Sequence, residues 1–317
     1  MTHEVTPEVT KCKAPLEARG RRIDQIAVEL FPEYSRARLQ TWLKSGNLLV
    51  NDKKVKPSGK LLGGETFILT AIAEPVSEVH AEAIELDIIY ADEVVIVINK
   101  PAGLVVHPGA GNWSGTLQNA LLHYDPELAG IPRAGIVHRL DKETTGIMMV
   151  ARSLQAHKKL VDALQARIVS REYLALAVGE MVAGGSVDQP IGRHAKDRKR
   201  MAVVETGKEA ITHYRINRRY QGFTLLDVKL ETGRTHQIRV HMAYIQHPLV
   251  GDTIYGGRRR IPAGLTEETR TAVQQFSRQA LHARRLSFEH PESGEEVSFE
   301  APLPEDLISL LKLLPDK

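Results

Sequence analysis

Apolar positions along this chain change their period several times, and each change predicts an element. Residues 1–18 carry no apolar period and are expected to form a mobile tail. From Arg21 onward, Ile23, Ile26, Ala27 and Leu30 recur at the spacing of one helix face and stop at Pro32. Ser35 can cap a second helix, in which Leu39, Trp42 and Leu43 share a face while Arg36, Arg38 and Lys44 point elsewhere. Leu48 to Val50, the turn Asn51-Asp52, the lysines up to Lys56 and Gly63-Gly64 then lead to a short strand, Thr66 to Leu69. Two short helices and a small hairpin in about 50 residues enclose a marginal core, which suits a binding module better than an enzyme.

Ala71 to Glu85 is acidic, alanine-rich and weakly patterned, and it reads as a linker. Beyond it, Ile88 to Tyr90, a turn at Ala91 to Glu93 and the run Val94 to Ile98 predict a hairpin. That run is apolar on both faces and belongs in the centre of a sheet. Thr116 to Tyr124 predicts a short helix, and Ser153 caps another whose apolar face is Leu154, Leu160, Val161, Leu164 and Ile168. In the strand opened by Arg171-Glu172-Tyr173, Leu174, Leu176 and Val178 point one way and Tyr173, Ala175 and Ala177 the other. Small residues beside a single tyrosine leave room in front of its ring. Phe223 to Glu231 turns Leu226, Val228 and Leu230 inward, and the next helical register sets Ile238, Met242 and Ile245 against His236, Arg239 and Ala243. Gln279 to Phe288, a turn at Pro291 to Gly294 and a helix from Pro304 to Leu314 follow.

One stretch breaks the pattern abruptly. In IVHRLDKETTGIMMVA, Ile136 to Ala151, an apolar lead-in gives way to His138, Arg139, Leu140 and Asp141 before an apolar strand resumes at Ile147. A polar turn between two buried segments is where chemistry tends to sit, although Asp141 could equally pair with Arg139 or cap the turn.

Composition narrows the classes. The chain has 317 residues, 42% hydrophobic and 26% charged, enough for two domains with a sizeable core. No run approaches the ~18 to 20 apolar residues that span a bilayer, and the start has no apolar signal core, so a cytoplasmic location without membrane partners is expected. The single cysteine, Cys12, leaves no disulfide framework and no thiolate metal site. The net charge of +3 is modest but unevenly spread. Nine Lys or Arg face four Asp or Glu between Arg21 and Lys60, and RHAKDRKR, Arg193 to Arg200, holds five basic residues and one acid. Such clusters suit a polyanionic partner, and the second reads as a mobile basic loop that could close on phosphates. Gly109 and Gly111 open no GxGxxG or GxxxxGK[ST] run, so a nucleotide cofactor is not expected. His236, His241 and His247 lack the HExxH spacing and have no acidic or thiolate ligand nearby, so neither is a metal.

RRIDQIAVELFPEYSRARLQTWLKSGNLLVNDKKVKPSGKLLGGETF resembles an S4 RNA-binding domain along nearly the whole module. That resemblance implies RNA contacts from the second helix and the following turn, through Arg36, Arg38, Lys44 and Lys53. From about Leu86 the stretches NKPAGLVVHPGAG, AGIVHRLDKETTGIMMVA, REYLALAVG, LETGRTHQIRVHMAYIQHPLVGDTIYG and QALHARRLSFEHPESG resemble, in order, the RluA family of pseudouridine synthases. HRLDKETTG with TGRTHQIRVH carries most of the specificity, since neither follows from packing or periodicity. The resemblance implies an α+β chain: a tail (1–18), an S4-like helical and hairpin domain (19–70), a linker (71–85) and a catalytic domain (86–317) built on a mixed, mostly antiparallel sheet with a basic cleft.

The implied chemistry breaks the N-glycosidic bond of a uridine in RNA, turns the uracil and joins its C5 to the ribose, with no oxidation and hence no cofactor or metal. By resemblance Asp141 is the catalytic aspartate, attacking C1′ or C6 or removing a sugar proton. Arg239 would keep it ionised, and Tyr173 would stack on the uracil and take the C5 proton. Arg139 would fill the space of the flipped nucleotide, Leu281 wall the pocket, and His236 and Gln237 contact the substrate. His138 is expected to be structural. Arg193, Lys196, Arg198, Lys199 and Arg200 would meet RNA phosphates. The expected partner is large-subunit ribosomal RNA, at the stem-loop helix 69 or in an assembly intermediate, and the expected state a monomer. The alternatives are the same chemistry on another rRNA or tRNA uridine, and a ribosome-assembly factor that only binds RNA. A carboxylate held by an arginine is of no use to a pure RNA binder.

Overall fold

Helical spacing from Ile23 and the apolar triplet at Leu48 close around one small core. The computed structural model describes residues 8–32, 34, 36–71, 79–109, 111–197, 200–257 and 261–317, and the chain divides into two units, Met1–Glu78 and Val79–Lys317. In the first, strand β1 (Glu8–Lys13), helices α1 (Ile23–Leu30) and α2 (Arg36–Ser45), and strands β2 (Leu48–Val50) and β3 (Thr66–Ala71) form a three-stranded antiparallel sheet in the order β1-β3-β2 under two helices. Ile26, Leu39, Trp42, Leu43, Leu48 and Phe67 fill its core. Asn51 and Asp52 both take positive φ (49° and 59°), the left-handed pair that a two-residue turn requires and that Asn and Asp tolerate. Ser35, the expected cap of α2, lies outside the described residues.

The expected tail is corrected over residues 8–18. β1 pairs with β3 along its whole length, from Glu8 opposite Ala71 to Lys13 opposite Thr66, and Ala14 and Ala18 are buried. Its inward positions are Thr10, Cys12 and Ala14, too weakly apolar to show a period of two against Val9, Lys11 and Lys13 on the outer side.

The second unit contains β4 (Ile88–Ala91), β5 (Val95–Lys100), α3 (Leu117–Tyr124), β6 (Thr145–Ala151), α4 (Leu154–Gln165), β7 (Ser170–Val178), β8 (Gly185–Asp188), β9 (Ile191–Arg193), β10 (Met201–Val203), β11 (Ile211–Tyr220), β12 (Phe223–Leu230), α5 (Gln237–Tyr244), α6 (Glu267–Gln275), β13 (Leu281–Glu289), β14 (Glu296–Glu300) and α7 (Glu305–Leu313). Among the described residues nine strands make one sheet in the order β4-β5-β6-β13-β7-β12-β11-β8, with β14 beside β13. Every pairing is antiparallel except β6 with β13, so the chain is α+β with a mixed, mostly antiparallel sheet. β9 and β10 form a separate hairpin.

β7 is the middle of the sheet, and its alternation sorts two cores. Tyr173, Ala175 and Ala177 join Leu226, Val228, Ile238 and Met242 on one side, while Leu174 and Leu176 join Phe223, Val273, Leu307 and Leu310 on the other. Two expectations shift here. On α4, Ala156 and Leu160 are buried, but Leu154 (61% exposed) and Ile168 (65%) face solvent. The helix ends at Gln165 and Arg167 turns left-handed (φ 61°), so Ile168 has left the helical register and Val169 takes the buried place. The described half of the linker is laid against α3: Asn119 Nδ2 donates to His80 O at 2.7 Å, and Glu82 N donates to Asn119 O at 3.0 Å. Backbone hydrogen bonds of this kind leave no hydropathy signature. No helix among the described residues is long and apolar enough to cross a membrane.

Candidate active site

The loop from Ile136 to Thr144 folds back along β6. Ile136 bridges to Val150, and His138 Nε2 accepts the Met149 N–H at 3.1 Å. Burial pushes the His138 pKa down to about 3, so the ring stays neutral and can keep accepting that N–H. Lys100, at the end of β5, sends its ammonium to the carbonyls of Pro101 (2.7 Å), Leu104 (3.0 Å) and Lys142 (2.9 Å). Gln279 Nε2 donates to Thr144 Oγ1 at 3.0 Å. Asp141 therefore stands on a turn pinned on both sides, with its side chain 17% exposed.

The carboxylate does not pair with Arg139. Its partner is Arg239 on α5, whose Nη1 donates to Asp141 Oδ2 at 2.8 Å. Ile238 and Met242 anchor one face of α5 in the core, which turns Arg239 toward Asp141. Behind it, Arg239 Nε and Nη2 donate to Asp252 Oδ2 and Oδ1 at 2.7 and 3.0 Å, a bidentate grip with both side chains buried. Burial alone would raise the Asp252 pKa; the Arg239 guanidinium and the N–H groups of Tyr255 and Ile254 hold it below the usual carboxylate range. Arg239 is held charged by its two carboxylates against its own burial. One buried cation thus bridges an inner carboxylate, which fixes it, and an outer one, which faces solvent.

Tyr173 lies on the Ala175 and Ala177 side of β7 and is 8% exposed. Burial pushes its hydroxyl pKa up, with Asp141 adding in the same direction and Arg171 opposing. Asp141, Tyr173, Arg139, His236, Arg239 and Leu281 share a small pocket of about 50 Å³. Asp141 and Arg139 also line two larger clefts. One, about 530 Å³, is lined by Arg133, Arg167 and Arg234, by the buried Arg171 and by Tyr173. The other, about 460 Å³, is bordered by Val106, Asn112, Arg239 and Gln279. Arg139 is exposed and makes no hydrogen bond or ion pair among the described residues, so its guanidinium is available to whatever enters either cleft.

This geometry coincides with sequence likeness. The family model described as RNA pseudouridylate synthase matches residues 94–244, and that of the S4 domain matches residues 21–67. A Vibrio parahaemolyticus protein named ribosomal large subunit pseudouridine synthase D is 54% identical over 296 residues, 93% of this chain and 91% of that one. Its namesake in Pseudomonas aeruginosa is 53% identical over 302 residues, 95% and 94% of the two chains. The chain belongs to the RNA pseudouridylate synthase family. The synthase also superposes on the solved human RNA pseudouridylate synthase domain containing 4, with a TM-score of 0.56, 28% identity and coverage of 71% of this chain and 92% of that one. It is thus an enzyme, a pseudouridine synthase carrying an S4 domain.

Several expected residues are engaged with other partners. Gln237 is 2% exposed and its amide is fully engaged: Oε1 accepts from Thr232 Oγ1 and Arg234 N, and Nε2 donates to Ile211 O and Thr212 Oγ1. It fastens α5 to β11 and also borders the small pocket that Asp141 lines. His241 and His247 are hydrogen-bonded elsewhere, to Thr212 and Gln189 and to Val178. The basic loop is the turn of the β9–β10 hairpin, closed by His194 N to Arg200 O at 3.0 Å, and it carries Arg193, Lys196 and Arg200. Arg198 and Lys199 lie outside the described residues, as does the side chain of Arg38. In the first unit, Lys44 and Lys53 are exposed. Arg36 instead holds the fully buried carboxylate of Asp24 at 2.9 Å, with Arg22 and Gln40 on the same group.

Sequence reasoning missed Lys100, Arg171, Asp252 and Tyr255 in the synthase. A lone lysine ending an apolar strand is a signal for a buried cation. Asp252 and Tyr255 lie within GDTIYG, where no local spacing indicates their distant partners Arg239 and His236.

Proposed function

We propose that this synthase isomerises uridine to pseudouridine in large-subunit ribosomal RNA, at the helix 69 stem-loop, with Asp141 as the reacting group. The observation that carries the reading is the Asp252–Arg239–Asp141 bridge opening into an arginine-lined cleft. An ionised carboxylate facing a polyanion is repelled unless a fixed cation compensates it, and Arg239 is that cation. The names of the relatives support ribosomal RNA of the large subunit as the substrate.

In this reading the target nucleotide leaves its stack, a step costing a few kcal/mol, and Arg139 enters the space it vacates. Asp141 acts at the ribose or the uracil while the N1–C1′ bond breaks. The freed uracil turns between Tyr173 and Leu281, C5 bonds to C1′, C5 gives up its proton, and N1 ends protonated, so atoms and electrons balance within the nucleotide. Tyr173 packs against the uracil and is the candidate acceptor of the C5 proton; its raised pKa makes packing the firmer of these two roles. Arg193, Lys196 and Arg200 would meet backbone phosphates from the β9–β10 hairpin, and Lys44 and Lys53 from the first unit. The proposed compartment is the cytoplasm and the proposed working unit a monomer.

The test is tritium release from C5-labelled uridine in large-subunit rRNA, naked and assembled, by wild type and Asp141→Asn. Release by the wild type alone is expected. Release by both would remove Asp141 from the chemistry, and unchanged helix 69 modification in a deletion strain would move the target elsewhere.

A further inference from the structure

The two oxygens of Asp141 have different neighbours. Oδ2 accepts from Arg239, whereas Oδ1 faces His236 Nε2 at 3.8 Å. On the far side of the imidazole, His236 Nδ1 lies 2.7 Å from the Tyr255 hydroxyl, which accepts the backbone N–H of Met201 at 2.9 Å. Tyr255 is 9% exposed. A phenol oxygen that accepts the Met201 N–H still has its own proton to donate, and His236 Nδ1 is the acceptor within reach. Were Nδ1 the donor, the phenol proton would be left in a buried site without an acceptor among the described residues, a costly arrangement. Nδ1 therefore carries the lone pair and Nε2 the proton. Burial also lowers the His236 pKa, which favours the neutral ring.

We infer that Tyr255 is a positioning residue that fixes His236 as the neutral Nε2–H tautomer, so that His236 donates to an oxygen of the target nucleotide beside Asp141 and Oδ1 is the reacting oxygen of the carboxylate. The inference rests on the reading of Asp141 given under Proposed function. The same segment sets the other partner of Asp141 as well. Asp252 Oδ1 accepts the N–H groups of Ile254 and Tyr255 at 2.9 and 3.0 Å while the carboxylate grips Arg239, and the Tyr255 ring lies 5.1 Å from the Arg239 Cζ. Arg200 Cζ also lies 5.5 Å from that ring, and Met201 opens β10, so the basic hairpin and the tautomer of His236 are joined through one phenol.

Tyr255→Phe keeps the ring and deletes the hydroxyl. The expected result is a fall in kcat for tritium release of about 10-fold or more with KM little changed. Nitrogen-15 spectra of His236 should move from the Nε2–H form to a mixture of tautomers. Wild-type kcat together with a wild-type imidazole spectrum would overturn the inference. A second pair guards against a folding artefact. His236→Gln places an N–H donor where Nε2 stood and His236→Asn where Nδ1 stood, so Gln should retain more activity; the reverse order overturns the proposal. A wild type that releases no tritium from any ribosomal RNA would sink the functional reading, while the His236 spectra would still decide the tautomer.

Discussion

At the residue scale, Lys100 shows how a charge is carried out of water to serve a loop. It is 1% exposed, and each of its three protons has a carbonyl acceptor, one of them on Lys142 beside Asp141. Burial pushes its pKa down to about 8, with Glu143 and Asp141 opposing. The unfolded chain keeps an ordinary lysine pKa of about 10.4 and so binds more protons than the folded chain between those two values. Stability contributed by this residue therefore rises with pH through that window. Comparing urea unfolding of wild type and Lys100→Met at pH ~7.5 and ~9.5, the difference should move in favour of the wild type by about 2 kcal/mol. Parallel changes in the two proteins would mean that Lys100 is not buried as a strained cation.

At the element scale, the Asp141 loop enters the sheet where β6 meets β13, the one parallel pairing in it. Gly146 sits there with φ of 115°, and a Cβ on it would lie 2.1 Å from Ala283 O. No L side chain fits without moving backbone. Gly146→Ala is expected to destabilise the fold by about 2 kcal/mol or more, read as a lowered urea midpoint, and to reduce activity as the Asp141 turn shifts. A wild-type midpoint would show that the two strands part freely at this point. α5 makes the complementary contribution, since burying Ile238 and Met242 is what aims Arg239.

At the scale of the whole molecule, the S4 match (21–67) and the synthase match (94–244) fall on different units. Their separation predicts a separable effect. Lys44→Gln with Lys53→Gln should weaken RNA binding and flatten its salt dependence, by roughly 0.9 in the logarithmic slope for each phosphate no longer neutralised, while leaving kcat at saturating RNA unchanged. An unchanged slope would remove these lysines from the RNA interface. Arg36 is a poor choice for this test, because its replacement would strip a partner from the buried Asp24 carboxylate and destabilise the unit itself.

The sequence alone determined what periodicity and chemistry can encode locally. The two faces of β7, the inward face of β12, the helical register that separates Ile238 and Met242 from Arg239, and the polar break at Asp141 all follow from which residues leave water. Resemblance added the Asp141–Arg239 ion pair, which forms across 98 residues of chain. Tertiary structure alone decided the rest. Asp252 behind Arg239, Tyr255 behind His236, and Gln237 turned into the scaffold are meetings of polar groups from separate elements, and no spacing rule reports which distant charges meet. β1 carries no readable period because Thr, Cys and Ala make a faint inward face, and Ile168 leaves the predicted helical face because a left-handed Arg167 ends the helix first. Hydrophobic pattern sorts the buried faces of β7, β12 and α5; only the folded chain fixes what a buried charge touches.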